Sequence, residues 1–516
     1  MSCVFSWCSL SSATMSSSDL TFSSVAIGLA ICLVVSKWLK SARDARKLSH
    51  IPSVTFDLPL LSYIGAFQFT IASGDLLQKG YNKYKGRPFK VPEFLRWHVL
   101  VSGNTLVQEL RRAGDDELSV EEAVNAMLYL DHTFGLEVVS NMYQVPVTRI
   151  ALTRNLGVLY PLMREELVLA HREYIPLSKE WIRVGVYNTI MKIVSRASNR
   201  IFVGLPLCRD PEFMQLNVDF TTEVIKVALL FGVVPTFMRG FATKLTSLDK
   251  LKKRAEELLR PLIEERLKMM EEYGDDWHGK PNDMLSWLID ASPKGEGQVQ
   301  SVALRIVITN FGAIHTSSMT FSHVLYRIAS SSQYQTELRE EVENVVKQHG
   351  WTKASLDKMV KADSFIKECS RFYGVGSTSL TRIAVKDFTF SDGTFIPKGT
   401  MVSASSRAIH FDEENYENAT AFDPWRYAEL SKSGDTSSLR NQFVNTHYDF
   451  QLFGIGRHAC PGRFFASLEL KSMLADLVTT YDMKLERDGV IPSPTWVGAT
   501  VIPHRTAAVM FRQRQS

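Results

Sequence analysis

Cysteine is scarce in this chain, six in 516 residues, and none belongs to a Cys-x-x-Cys pair. Cys3 and Cys8 lie near the amino terminus and Cys32 within an apolar run, leaving Cys208, Cys369 and Cys460 dispersed over the rest. That spacing excludes a disulfide framework and a zinc module, and makes a reducing compartment the simpler reading. The net charge of +4 is thin over such a length, and no stretch combines dense Lys/Arg with interleaved aromatics. No nucleic-acid partner is therefore expected. A Gly-x-Gly-x-x-Gly turn is also missing, so the chain carries no nucleotide-binding or flavin domain of its own. Beyond residue 60 there is no repeat, no low-complexity tract and no interdomain linker. The 45% hydrophobic content is enough for one large domain that encloses a cofactor.

Long apolar runs are limited to one. Residues 20–39 include Val25-Ala26-Ile27 and Leu29 to Val35, and nearly twenty residues in a helix span roughly 30 Å, one hydrocarbon core. Lys37 and Trp38 suit an interface, and Lys40, Arg43, Arg46 and Lys47 follow, whereas residues 1–18 carry no charge. A cleaved signal has the opposite charge order. The sequence thus predicts a short lumenal tail (1–19), a transmembrane signal anchor (20–39) and a basic, proline-bearing connector (40–60). A cytoplasmic catalytic domain (61–516) follows, which makes a single-pass protein of the endoplasmic reticulum membrane.

The fold class read from periodicity is mainly α with a small β part. Leu251–Tyr273 has Leu258, Leu262, Ile263 and Leu267 at helical spacing, and Val302–Ser330 is a long helix apolar almost all round, to be buried. Leu338, Val342, Val345 and Val346 predict a helix closed by His349-Gly350. Arg382–Phe390 alternates like a strand, with a hairpin turn at Asp392-Gly393 before Phe395-Ile396.

The chemistry concentrates at Phe453-Gly454-Ile455-Gly456-Arg457-His458-Ala459-Cys460-Pro461-Gly462. The glycines permit positive φ and close approach of backbone to a flat object. Pro461 is a good first helical residue, so Cys460 lies at a helix amino terminus, where N–H groups and the dipole favour a thiolate. Such a thiolate could be a nucleophile, a zinc ligand or an axial haem ligand. Only the last accounts for the aromatic and glycine-rich surroundings without other ligands.

This loop resembles the signature of the cytochrome P-450 family, Phe-x-x-Gly-x-Arg/His-x-Cys-x-Gly, at every fixed position. The resemblance implies a single large P-450 fold around haem b, with Cys460 the axial iron ligand, Phe453 and Gly454 packed at the haem, and His458 hydrogen-bonded to a propionate. It further implies that Glu368-Cys369-Ser370-Arg371 joins Arg426 of Phe422–Tyr427 in a structural triad, and that Arg382 is a propionate ligand. Gly312-Ala313-Ile314-His315-Thr316-Ser317 resembles the oxygen-binding segment. There the small residues let the helix open and Thr316 holds the water that delivers protons, the alternative being a hydroxyl bonded back to its own turn. His315 stands where the family has an acid, which changes the relay. The Trp-x-x-x-Arg helix of the family is absent, with Arg149 and Arg154 as substitutes. Ala-Ile-His-Thr resembles fungal enzymes of the ent-kaurene oxidase type, as do Leu152–Gly157 and Arg463–Ala466.

The implied activity is monooxygenation of an apolar small molecule, a terpenoid or related secondary metabolite, with dioxygen as co-substrate. Electrons would come from NADPH through a separate NADPH–cytochrome reductase, with cytochrome b5 as a further donor. Arg457, Arg463 and Lys471 would form the cationic docking face. Phe311, Ile314, Thr316, Gly376–Leu380 and Gly498–Val501 would wall the substrate pocket. A haem-dependent isomerase or dehydratase, a fatty-acid or xenobiotic hydroxylase, and a haem carrier remain as alternatives.

Overall fold

A computed structural model describes residues 35, 38–58, 60–94, 96–432 and 440–515. Among them no helix is long and apolar enough to cross a membrane. The tail expected over 1–19 and nearly all of the anchor expected over 20–39 lie outside the described residues.

Helices build most of the molecule. Thr153–Tyr174 packs on Val186–Phe202, which packs on the 32-residue helix Gln298–Ala329, and Arg463–Thr480 touches all three. The last of these has buried residues on every side from Leu468 to Val478, and charges among them are met inside the fold, Lys471 by Asp363 and Asp476 by His171. The long central helix is likewise buried from Phe321 to Val324 and beyond. Ser332–His349 starts at Ser331, whose hydroxyl accepts the Tyr334 N–H, and stops at Gly350, where φ is +65°.

The amphipathic stretch Leu248–Tyr273 buries a face one step away from the expected one. Ala255, Leu259, Ile263 and Arg266 are buried, while Leu258, Leu262 and Leu267 are only partly so. The shift is possible because the Arg266 guanidinium finds Asp283 at 2.6 and 2.8 Å, a partner not apparent from periodicity.

The β part is small, as expected. A five-stranded sheet runs in the order Phe89–Pro92, Trp97–Val101, Met401–Ala404, Ser379–Ala384, Leu118–Ser119, and only the second and third strands are parallel. A three-stranded sheet joins Ile182–Gly185, Ala508–Gln513 and Tyr481–Leu485. The stretch expected as one strand over 382–390 is two: Ser379–Ala384, and Phe388–Thr389 paired with Phe395–Ile396 around Gly393 at φ +84°. Leu380 sits in the left-handed region, φ +50°, where the pairing register slips between Ser379 and Arg382. That bulge re-aims the side chains that follow it.

Candidate active site

Three elements converge on the cysteine loop. Gly454 (φ +67°) and Gly456 (φ +78°) reverse the chain, and the Cys460 N–H donates to the Phe453 carbonyl at 2.8 Å, closing the loop onto its own start. A Cβ at Gly456 would lie 2.8 Å from Arg111 Cγ, so the glycine is required by space as well as by φ. Phe453 packs edge-on to Phe443, centroids 5.1 Å apart.

Cys460 is half-buried. Burial pushes its thiol above the ordinary value, while backbone N–H groups of Gly462 and Arg463 and the Arg463 charge pull it down. The helix-start effect read from the sequence is therefore present, but desolvation outweighs it for the free thiol. A coordinated metal ion deprotonates a thiol outright.

Arg382 is 3% exposed, and among the described residues its only hydrogen bond is to the Thr381 carbonyl at 3.0 Å. Its Nε is buried with no partner among the described residues, and desolvation lowers the guanidinium to about 10. A buried cation with spare donors and no carboxylate is a site built for an anion.

His458 is engaged otherwise: its Nε2 lies 2.9 Å from both Asp115 Oδ1 and Arg457 Nε. Asp115 was not legible as part of the site, since it precedes its partner by more than 300 residues and belongs to no motif. Arg149 donates to the Arg457 carbonyl at 3.2 Å, which puts it on the cysteine loop; Arg154 makes no such contact among the described residues. Arg463 Nη1 donates to the Cys460 carbonyl at 3.0 Å. Lys471 does not belong to an exposed cationic face: it is 6% exposed and ion-paired with Asp363 at 3.1 Å.

On the long helix, Gly312 and Thr316 are exposed although the flanking turns are buried. Exposure at i and i+4 in the middle of a buried helix marks an internal space against that face. The Thr316 hydroxyl donates back to the Gly312 carbonyl at 2.8 Å, and the helix continues unbroken through Gly312-Ala313 without the expected opening. Ile314, 1% exposed, is on the opposite face and does not line this space. His315 Nε2 is buried without a partner among the described residues, and desolvation lowers the imidazole to about 4, so it is neutral near pH 7. Gly376 and Thr500 bridge, and the Ser377 N–H donates to Ala499 at 2.7 Å, bringing the two outer wall segments together.

Behind the loop, Arg371 makes two bonds to Glu368, at 2.7 and 2.8 Å, with both residues fully buried. Arg426 Nε reaches the same carboxylate at 3.4 Å.

The family model described as cytochrome P450, written here P-450, matches residues 172–510. The chain belongs to the cytochrome P-450 family. Cytochrome P-450 monooxygenase 151 of Postia placenta is 40% identical over 493 residues, 95% of this chain and 98% of its own. A cytochrome P-450 monooxygenase of Penicillium paxilli is 32% identical, covering 95% of this chain and 97% of its own. An ent-kaurene oxidase of Gibberella fujikuroi is 30% identical, covering 90% and 93%.

As a cytochrome P-450 this chain is a monooxygenase, an oxidoreductase that incorporates oxygen, and the family implies haem iron. The residues present fit that group. The half-buried sulfur has N–H groups on its flank, Arg382 is a buried cation wanting an anion, and Gly312 and Thr316 leave a face of helix uncovered.

Proposed function

We propose that this P-450 holds haem b through the Cys460 thiolate and oxidises an apolar terpenoid or related secondary metabolite, taking electrons from NADPH through a separate membrane-bound reductase. The observation that carries the cofactor reading is the Arg382 guanidinium, buried and unpaired, which a haem propionate would neutralise. Arg382 would hold a carboxylate of the group and Cys460 would ligate its iron, with Phe453 and Gly454 beside the cysteine in the same loop. The chemistry such a group would supply is activation of dioxygen, favoured by electron donation from a thiolate.

The chain's own residues manage water and protons. The Thr316 hydroxyl spends its hydrogen on Gly312, so its oxygen is free to accept from a water in the adjoining space. His315, neutral and unbonded at Nε2, offers one acceptor or donor beside it rather than the negative charge of a carboxylate. We assign His458 to the loop's framework through Asp115, and the Glu368–Arg371–Arg426 cluster to bracing the segment behind it.

The terpenoid reading rests on the motifs shared with ent-kaurene oxidase-type enzymes and on the relative named for ent-kaurene, a terpene hydrocarbon. Membrane association rests on the 20–39 apolar run and on bare apolar side chains: Ile64, Phe67 and Ile71 on Ser62–Lys83, and Phe237 (86% exposed) and Phe241 on Thr236–Lys244. For the reductase, Arg149 and Arg457 are exposed at the cysteine loop and replace Lys471 in the docking face.

The test is reconstitution of the full chain with NADPH–cytochrome reductase in membranes, given a panel of terpenoid precursors under labelled dioxygen. One labelled oxygen per product, dependent on NADPH, is expected. Cys460→Ala should abolish the red-shifted Soret band of the reduced, carbon-monoxide-bound protein. Unlabelled product formed without NADPH would replace this reading with a haem-dependent isomerase or dehydratase.

A further inference from the structure

A second cavity, of about 550 Å³, opens away from the cysteine loop and takes no part in the chemistry above. Three regions of the chain wall it. The helical stretch 38–47 presents Lys40, Asp44 and Lys47 at i, i+4 and i+7, one face of that helix. The segment 122–131 supplies Glu122, Asn125 and Asp131, and the sheet edge at 397–401 supplies Lys398. Arg239 closes the fourth side.

Arg239 is held in place rather than free. Its guanidinium stacks 4.6 Å from the Tyr129 ring centroid, and Nη2 donates to the Phe231 carbonyl at 3.3 Å. Its Nε is buried and has no partner among the described residues. The ion pairs among the described residues leave Lys40, Lys47, Arg239 and Lys398 all without a carboxylate partner. Lys40, Lys47 and Lys398 are exposed and Arg239 is half-buried, so four cations with no carboxylate on any of them face one open-mouthed cavity, which suits it to a negative group.

The acids on the wall say more about that group. Glu122, Asp131 and Asn125 are acceptors on the same cavity, which a bare anion would avoid but which hydroxyl groups would use. The volume is that of a small-molecule site, larger than one phosphate needs. The position narrows the source. Lys40 follows directly on the apolar run 20–39, and Arg239 lies between Phe237 and Phe241, both exposed. The mouth is therefore ringed by residues suited to the headgroup layer of a bilayer.

We propose that this cavity binds the phosphorylated polyol headgroup of an anionic membrane lipid. Lys40, Arg239 and Lys398 take the phosphate, and Glu122, Asn125 and Asp131 accept from the hydroxyls. The proposal rests on the membrane reading given above. It makes the lipid a fastener between the anchor's basic connector, the Thr236–Lys244 helix and the sheet edge, three elements far apart in sequence.

The test uses the full haem-loaded chain in nanodiscs of phosphatidylcholine, doped at equal mole fraction with phosphatidylinositol or phosphatidylserine. Lipid that stays with the protein after detergent extraction is counted by native mass spectrometry. Phosphatidylinositol should be enriched at least about tenfold over phosphatidylcholine, and several-fold over phosphatidylserine, which has the charge without the polyol. Arg239→Gln with Lys398→Gln should reduce that enrichment to the phosphatidylcholine level and keep the carbon-monoxide band. Arg239→Lys should retain much of it.

Equal retention of phosphatidylinositol and phosphatidylcholine would overturn the proposal, as would undiminished retention by the double variant. Tight binding of soluble inositol phosphate to extracted protein, with no lipid enrichment in discs, would assign the cavity to a soluble metabolite and overturn the lipid. A chain that stays outside the discs sinks the membrane reading and this proposal together. A chain that inserts but shows no lipid preference sinks this proposal alone.

Discussion

Glu368 has no access to water, yet its charge is fully answered: Arg371 takes both oxygens, Arg426 and the Asp423 N–H share one of them. Arg371 spends its remaining donors on the carbonyls of His410 and Ala419, at 2.6 and 2.7 Å. Removing one partner of such a pair leaves the other charge buried and uncompensated, which costs about 3–5 kcal/mol. Glu368→Ala is therefore expected to fold poorly and to lose most of the carbon-monoxide band per unit of protein, whereas Arg426→Ala, which removes a 3.4 Å contact to Glu368 and bonds to the carbonyls of Glu417, Asn418 and Ala421 but leaves the Glu368–Arg371 pair intact, should lose less. Equal loss in the two variants would contradict this ranking. The i, i+3 spacing of Glu368 and Arg371 made their contact legible in the sequence, and the motif around Arg426 placed it nearby. Asp115 beside His458 was not legible, because a pairing across the whole chain leaves no local pattern. The orphaned donors of Arg382 were not legible either, since they exist only once the fold has buried them.

Helices and their faces carry the next level. The length, burial and position of Gln298–Ala329 could be read from its lack of charge, but which residues face the internal space could not. A helix apolar all round gives no stripe to orient it, and so Ile314 was assigned to the wall while the fold turns it into the core. What distinguishes the open face is exposure at Gly312 and Thr316, a property of the packed molecule. Because the Thr316 hydroxyl bonds only within its own helix, among the described residues, its loss removes no tertiary contact. Thr316→Ala should then keep its melting behaviour and its carbon-monoxide band, while consuming severalfold more NADPH per product. Thr316→Ser, which retains the oxygen acceptor, should stay near the wild-type ratio. Similar NADPH-to-product ratios in all three would remove Thr316 from proton delivery.

At the scale of the whole molecule, buried ionisable groups set a pH window for stability. Glu469 is fully buried in the helix that follows the cysteine loop, where it accepts from Ser198 at 2.7 Å. Burial raises it from 4.5 to about 7. The folded state thus holds a proton that the unfolded chain releases, and stability falls as pH rises from about 4.5 to 7. His323, stacked on Tyr373 at 4.3 Å, and His410, whose Nε2 accepts the Gln451 N–H, act in the opposite sense. Burial, with Arg327 beside His323 and Arg371 beside His410, lowers each from 6.5 to about 3. Their stabilising neutral form is fully present above 6.5 and is lost as pH falls towards 3. Each such proton is worth about 1 kcal/mol per pH unit. Between 6.5 and 4.5 three histidines, His315 with them, work against one carboxyl, so stability declines on acidification, and just below 4.5 it declines faster because Glu469 no longer compensates. Urea unfolding at fixed pH should accordingly show a maximum near pH 6.5. Glu469→Gln should raise stability at pH 8 and leave it little changed at pH 4.5, flattening the alkaline side of the curve. His323→Phe should remove about one proton from the acid slope and keep the stack on Tyr373. An unchanged acid slope in His323→Phe would mean that this imidazole already titrates in the folded protein as it does in the unfolded chain.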